Sequence, residues 1–163
     1  MDSQSLVLIC AYISGGLAMG LGAIGPAYGI GMAGAKASEA VARQPHAAGS
    51  ITKTMLVGQA VSESPAIFAL LIAIFLIFKF YNVPEDISIF NLAALIGAGL
   101  STGIGSLGPG VGAGMANAGA CEGVGRDPEL EGPLLRTMLI GQAVSQSTSV
   151  YALVISFCLL FII

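Results

Sequence analysis

Charged positions in this chain are bunched into short clusters, and between them lie four long stretches that carry almost none. Residues 6–35, 87–121 and 137–163 have no charged side chain, and residues 54–78 have one, Glu63. A bilayer core of ~30 Å needs about 20 helical residues, so each stretch is long enough to cross it. The expected fold is an all-α membrane protein with four transmembrane helices joined by short loops. Such a chain leaves no room for a soluble catalytic domain.

The pattern repeats. A shift of 83 residues lays the second half on the first without gaps: Gly25-Pro26 meets Gly108-Pro109, and Glu39, Arg43 and Pro45 meet Glu122, Arg126 and Pro128. The segment GQAVS occurs at 58–62 and again at 141–145. The chain therefore reads as two tandem helical hairpins, residues 1–82 and 83–163, with an outer turn at Asn82-Val83-Pro84-Glu85-Asp86. One correspondence is broken: Glu63 falls on Gln146, so VSES becomes VSQS. Glutamine is nearly isosteric but carries no charge, which leaves one titratable site per four helices.

Composition agrees, with 9% charged residues, 55% hydrophobic residues and a mean hydropathy of +0.88, against about 25% charged in an ordinary soluble domain. The net charge of −3 says less than the placement of the cations. Lys36, Arg43, Lys53, Arg126 and Arg136 flank the first and third loops, while Lys79 lies on the other side. That asymmetry places these loops in the cytoplasm and both termini outside. The first ten residues have no basic segment before an apolar one, so no cleaved signal peptide is expected. Cys10, Cys121 and Cys158 are scattered without metal-binding spacing and read as small apolar residues. His46, beside Pro45, reads as a solvated loop residue.

Two segments, GLGAIG at 20–25 and GIGSLG at 103–108, match the dinucleotide pattern G-x-G-x-x-G. That pattern binds phosphate only between a strand and a helix; here it lies inside membrane-length apolar runs. In lipid, small residues instead let helix backbones approach closely. Glycine at nearly every second position of the first helix of each hairpin suits the crowded inner circle of a ring. Pro26 and Pro109 lie mid-helix, where membrane neighbours can satisfy the freed carbonyl.

A carboxylate near the middle of a membrane helix costs roughly 2.5–3.5 kcal/mol on insertion scales and marks a site that handles ions or protons. At 100° per residue, Val61, Ser64, Pro65 and Phe68 share an arc of roughly 100°, and Glu63 lies roughly 150° from its centre. One helix cannot easily aim both sets at the same spot. In a ring of hairpins, Glu63 would face the equivalent arc of a neighbour, which on the second repeat carries Val144, Ser147, Thr148 and Tyr151. The expected site is built between hairpins, with Gln146 as a further oxygen donor.

Together, GIGPAYGIG, GAKASEAVARQP and TMLVGQAVSES resemble the proteolipid rotor component of F-type ATP synthases, the c-subunit. The resemblance covers both hairpins; Arg43-Gln44-Pro45 followed by an intramembrane carboxylate is its most specific part. The duplicated form is similar to V-type proteolipids and to duplicated proteolipids found beside single-hairpin ones in some bacterial sodium-driven synthases. The resemblance implies a non-catalytic component in a ring of hairpins, the c-ring, turning among membrane lipids against the stator a-subunit. The ring would carry H+ or Na+ on Glu63 and drive a central stalk touched by Arg43, Gln44, Pro45 and Arg126. It implies no nucleic-acid partner and no cofactor besides the bound ion. The membrane is expected to be a bacterial plasma membrane, and single-hairpin homologues are candidate ring partners. The second loop departs from the family pattern, reading Arg126-Asp127-Pro128.

Moving one charge across the membrane is worth ~2.3 kcal/mol per 100 mV, so the carboxylate must be neutralised, by a proton or a cation, before it meets lipid. With Gln146 uncharged, fewer ions move per turn for a given number of helices, which favours pumping against a steep gradient. Sodium-binding relatives use a Gln four residues after the Gly-Pro pair, with Val, Glu and Ser on the next helix. Val61, Glu63 and Ser64 are kept, but the Gln position holds Ile30 and Ala113. Losing an oxygen ligand weakens a hard-cation site, and the reading leans toward protons with sodium at Glu63 left open. The competing reading is a small tetraspan channel or scaffold with Glu63 lining a pore. It requires several polar positions along one helix face, whereas only the cluster around Glu63 is polar.

Overall fold

The computed structural model describes residues 3–79 and 89–162. The outer turn expected at Asn82–Asp86, and with it the boundary between residues 82 and 83, lies outside the described residues. Six helices are present among them: α1 (Ser3–Arg43), α2 (Ala48–Ser62), α3 (Ser64–Lys79), α4 (Ile89–Gly105), α5 (Leu107–Arg126) and α6 (Glu131–Ile162). One-turn 3₁₀ segments, Pro45–Ala47 and Pro128–Leu130, close the two loops. Four helical stretches are long and apolar enough to cross a membrane: Gln4–Arg43, Pro45–Phe78, Ile89–Arg126 and Pro128–Phe161. Their apolar parts coincide with the four nearly uncharged stretches; the charged turns beside the loops, with Glu39, Lys53, Glu122 and Glu131, lie beyond those stretches.

Two of the spans are interrupted, at Glu63 between α2 and α3 and at Ser106 between α4 and α5. Proline supplies the cause: it has no N–H for the carbonyl four residues back and its ring crowds that carbonyl. Pro65 follows the first break and Pro109 the second. Pro26, the counterpart of Pro109, lies inside the uninterrupted α1.

The described residues form two compact units, each drawing on both repeats. Residues 24–64 and 108–147 make up the loop-bearing unit. There α1 and α5 meet backbone to backbone. A β-carbon added at Gly29 would collide with the Gly110 carbonyl and the Gly114 Cα, and one at Gly110 with Pro26. A small core gathers Ala37, Ala40, Ala47, Ile51, Cys121 and Val124. The repeated glutamines of GQAVS tie each hairpin internally: Gln59 Nε2 donates to the Ile30 carbonyl at 3.3 Å and Gln142 Nε2 to the Ala113 carbonyl at 3.0 Å.

The other unit comprises the described residues 3–23, 65–79, 89–107 and 148–162. Its core is Val7, Ala11, Ala18, Ile72, Ala73, Leu76, Leu95, Ala98 and Leu160. Here α4 sits on α1, with Gly99 against the backbone of Ser14 and Gly103 against Leu17 and Ala18. Hydroxyls of the second repeat stitch helices together: Thr102 and Ser156 are 2.5 Å apart, Ser156 donates to the Ala98 carbonyl at 2.8 Å, and Ser106 donates to the Pro65 carbonyl at 3.0 Å. The glycines thus pack helices, as expected, and both G-x-G-x-x-G segments are helical apart from the break at Ser106. Gly16, Gly20 and Gly31 have no neighbour within 4 Å of an added β-carbon, so part of the small-residue surface stays uncovered in the single chain.

Candidate functional site

Glu63 sits at the break itself. Its backbone N–H donates to the Gln59 carbonyl at 3.1 Å, which keeps the chain helical up to that residue. Its carboxylate is exposed on the single chain and makes no hydrogen bond or ion pair with another described residue. Val61 and Ser64, on the opposite arc, are half-buried, and Ser62 between them is fully buried.

What faces Val61 is Gln146. Its Nε2 donates to the Val61 carbonyl at 2.6 Å. That carbonyl is open to an outside donor because its partner in a regular helix would be the N–H of residue 65, which is proline. The position equivalent to Glu63 therefore lies against the arc of the first repeat within the same chain. Four residues earlier, the fully buried Gln142 directs its Nε2 to the Gly58 carbonyl, the Ser62 hydroxyl and the Ala113 carbonyl, at 3.0, 3.1 and 3.0 Å.

The matching arc of the second repeat is open. Val144 is 69% and Tyr151 64% exposed; Thr148 is exposed and Ser147 half-buried. The Ser147 hydroxyl donates to the Val144 carbonyl at 2.8 Å. Tyr151 and Thr148 fall in the unit that holds Pro65, the others in the loop-bearing unit. Of the residues singled out in the sequence, the structure joins Val61 to Gln146. It leaves both Glu63 and the Val144 arc facing outward.

Sequence reasoning offers Gln146 only as an oxygen donor; in the structure its amide nitrogen carries the contact. It also misses Pro65 as the residue that frees the Val61 carbonyl. The four-residue spacing from valine to proline, absent in the second repeat where Thr148 replaces it, is the signal that points there. Asn117 is missed too. It is fully buried, donates through Nδ2 to the Met55 carbonyl at 3.0 Å, and fills the space at Gly58 where a β-carbon would go. Its counterpart in the repeat is Gly34.

At the loops, cations and carboxylates are paired locally. Arg43 pairs with Glu39, and Arg126 with Glu122 at 2.5 Å; Lys36 reaches Glu39 at 3.2 Å and Glu122 at 3.9 Å, and Lys53 reaches Glu131 at 2.7 Å. Hydrogen bonding to Lys36 and the charge of Arg43 hold the Glu39 carboxyl below the usual carboxylate range. Bonds to Lys53 and Ser50 do the same for Glu131. Both carboxylates lie outside the uncharged stretches. The guanidinium groups of Arg43 and Arg126 stay accessible, at 62% and 75% exposed. Asp127 caps the second 3₁₀ turn by accepting from the Glu129 N–H at 3.2 Å, whereas Gln44 makes no such cap. His46 is exposed. The three cysteines are free, and no metal-binding group of His, Cys, Asp and Glu occurs among the described residues.

Comparison with known proteins agrees with the duplication. The chain is 55% identical over 69 residues to the ATP synthase c-subunit of Alkaliphilus oremlandii, which covers 42% of this chain and 77% of that protein. The ATP synthase c-subunit of Thermotoga petrophila is 51% identical over 71 residues, 44% of this chain and 84% of the relative. The chloroplastic ATP synthase c-subunit of Antithamnion sp. is 45% identical over 74 residues, covering 45% and 90%. Each relative spans less than half of this chain while most of its own length is used. The family described as the ATP synthase C-subunit matches twice, at residues 13–76 and 96–159. The chain belongs to the ATP synthase C-subunit family and carries that family's unit in tandem.

Proposed function

We propose that this duplicated c-subunit carries H+ or Na+ on Glu63 alone, at an interface between its first hairpin and the second hairpin of a ring neighbour. The chain is part of the membrane-embedded ring of an ATP synthase; the finer assignment concerns where the ion sits. Within the chain, the Gln146 amide lies 2.6 Å from the Val61 carbonyl. That single contact carries the reading, because the repeat makes it a template. An amide N–H donates where a protonated carboxyl would donate, so the internal interface is held in the neutral, loaded arrangement. Glu63 occupies the corresponding position on the open side, where a neighbour would present Val144, Ser147, Thr148 and Tyr151. Neutralised there, the side chain can pass along lipid without the roughly 2.5–3.5 kcal/mol insertion cost of a bare charge.

The chain has no catalysis of its own in this reading. It moves against the stator a-subunit, and the loops around Arg43, Gln44, Pro45 and Arg126 meet the central stalk on the cytoplasmic side, with both termini outside. The host membrane is a bacterial plasma membrane. The absence of a Gln at Ile30 and Ala113 favours protons, while the hydroxyls of the open arc keep sodium in play. The test is carbodiimide labelling of the assembled complex with and without Na+, alongside Glu63→Gln. One labelled carboxylate per chain and loss of coupled transport in the variant are expected. Transport that persists in Glu63→Gln overturns the assignment, and protection by millimolar Na+ reassigns the ion.

A further inference from the structure

We infer that Gly141 is the floor of an open notch on the second hairpin that accepts a carboxamide side chain from a neighbouring hairpin, one this chain cannot supply to itself. The inference rests on the ring reading above and concerns which neighbour fits. A groove of about 360 Å³ runs along α5 and α6 in the loop-bearing unit, lined in part by Ala116, Ala120, Leu134, Thr137 and Gly141. The same surface on the first repeat consists of Ala33, Ala37, Ile51, Thr54 and Gly58. There it is covered, with Ala33, Ile51 and Thr54 at 0% exposure and Ala37 at 3%.

What covers it is the second repeat of the same chain. Asn117 projects into the space left by Gly58 so closely that a β-carbon on Gly58 would overlap its amide group. The Asn117 Nδ2 donates to the Met55 carbonyl at 3.0 Å, and its Oδ1 lies 3.5 Å from the Cys121 sulfur, from which it accepts. The internal interface thus shows what the groove is shaped for: an amide over the glycine, anchored on the carbonyl three residues before it. On the second repeat that glycine is Gly141 and that carbonyl belongs to Met138. Gly141 is exposed, and an added β-carbon there meets only the Ala116 β-carbon, at 3.8 Å.

A second copy of this chain would bring its first repeat to the groove. At the position of Asn117 it would present Gly34, and at the position of Cys121, Ser38. Glycine would then face glycine, with no side chain in the notch and no amide for the Met138 carbonyl. The occupant that fits is a hairpin of the same fold carrying an asparagine-like side chain at the Gly34 position. Copy-to-copy contact, which sets Glu63 against the Val144 arc, still forms and is accordingly the less heat-resistant pairing.

Giving this chain the missing group tests the inference. Gly34 has room, since a β-carbon there meets only the Gln59 Nε2 at 3.7 Å, so Gly34→Asn leaves the hairpin intact. The full-length chain and its variants are purified in mild detergent, and the temperature at which closed oligomers dissociate is read by native electrophoresis. Gly34→Asn is expected to raise that temperature well above wild type, Gly34→Ala to leave it unchanged, and Gly141→Ala, added to Gly34→Asn, to remove the gain. Wild-type oligomers as heat-resistant as those of Gly34→Asn, or a gain that survives Gly141→Ala, would overturn the notch alone. Failure of every variant to form a closed oligomer would overturn the ring reading and the notch with it.

Discussion

The two repeats share a backbone plan and differ where chemistry is done. The first has Glu63 beside Pro65; the second has Gln146 beside Ser147 and Thr148. The first has glycine at position 34, where the second has Asn117 packed over Gly58. The second also places hydroxyls at Thr102, Ser106 and Ser156, where the first has Met19, Ala23 and Ala73. One half holds the charge beside a helix-breaking proline, and the other holds the polar groups that tie helices together. A duplicated chain can divide labour this way because its two halves need no longer be interchangeable.

The sharpest way to break that division is Gln146→Glu. It places a second carboxyl against the Val61 carbonyl, and the number of carbodiimide-reactive carboxylates per chain is expected to rise from one to two by mass spectrometry of the labelled protein. A count that stays at one means that the internal interface is not a silent version of the site. Asn117→Ala is the next largest. It removes a buried interhelical hydrogen bond and leaves a void, with an expected loss of about 1–3 kcal/mol, measurable as earlier thermal unfolding in detergent. The mirror substitution at Gly34 touches no such contact within the chain and should leave the monomer's unfolding unchanged.

Pro65→Ala probes the difference at the helix break. It returns an in-helix N–H four residues after Val61, so the Val61 carbonyl becomes shared between that backbone donor and the Gln146 amide. Isotope-edited infrared spectroscopy of a ¹³C=O label at Val61 should then show a second hydrogen bond, with a stability change of less than about 1 kcal/mol because gain and loss oppose. The smallest effect belongs to the loops. The carboxyls of Glu39 and Glu131 are held below their ordinary range by their lysine partners, so their pairing contributes fully above the unfolded value. That contribution fades as pH falls through the lowered folded one. A slight drop in melting temperature between pH 6 and pH 3 that disappears in Glu39→Gln/Glu131→Gln is expected.

Much of this is legible in the sequence. Absence of charge marks the four spans, the 83-residue shift marks the repeat, and an isolated carboxylate marks the candidate site. The partners of that carboxylate are not legible, for a physical reason. Helices apolar on every side give no amphipathic stripe to say which face meets which neighbour. Only the packed structure shows that Gln146, rather than Glu63, points at Val61. The Asn117–Gly58 fit is hidden similarly: a mismatch of asparagine with glycine in the repeat is visible in the letters, but its meaning depends on which residue lies across the interface. The break at Glu63 is written in Pro65, as a missing donor four residues after a valine.

The amide at Gln146 joins two uncharged groups, so neither voltage nor ion supply can load or unload it. In a rotor built from such chains, these positions are blank teeth whatever the energetic state of the cell. Each copy in such a rotor therefore brings one blank tooth for every loadable one, a pairing set by its sequence and adjustable by mutation and not by metabolism.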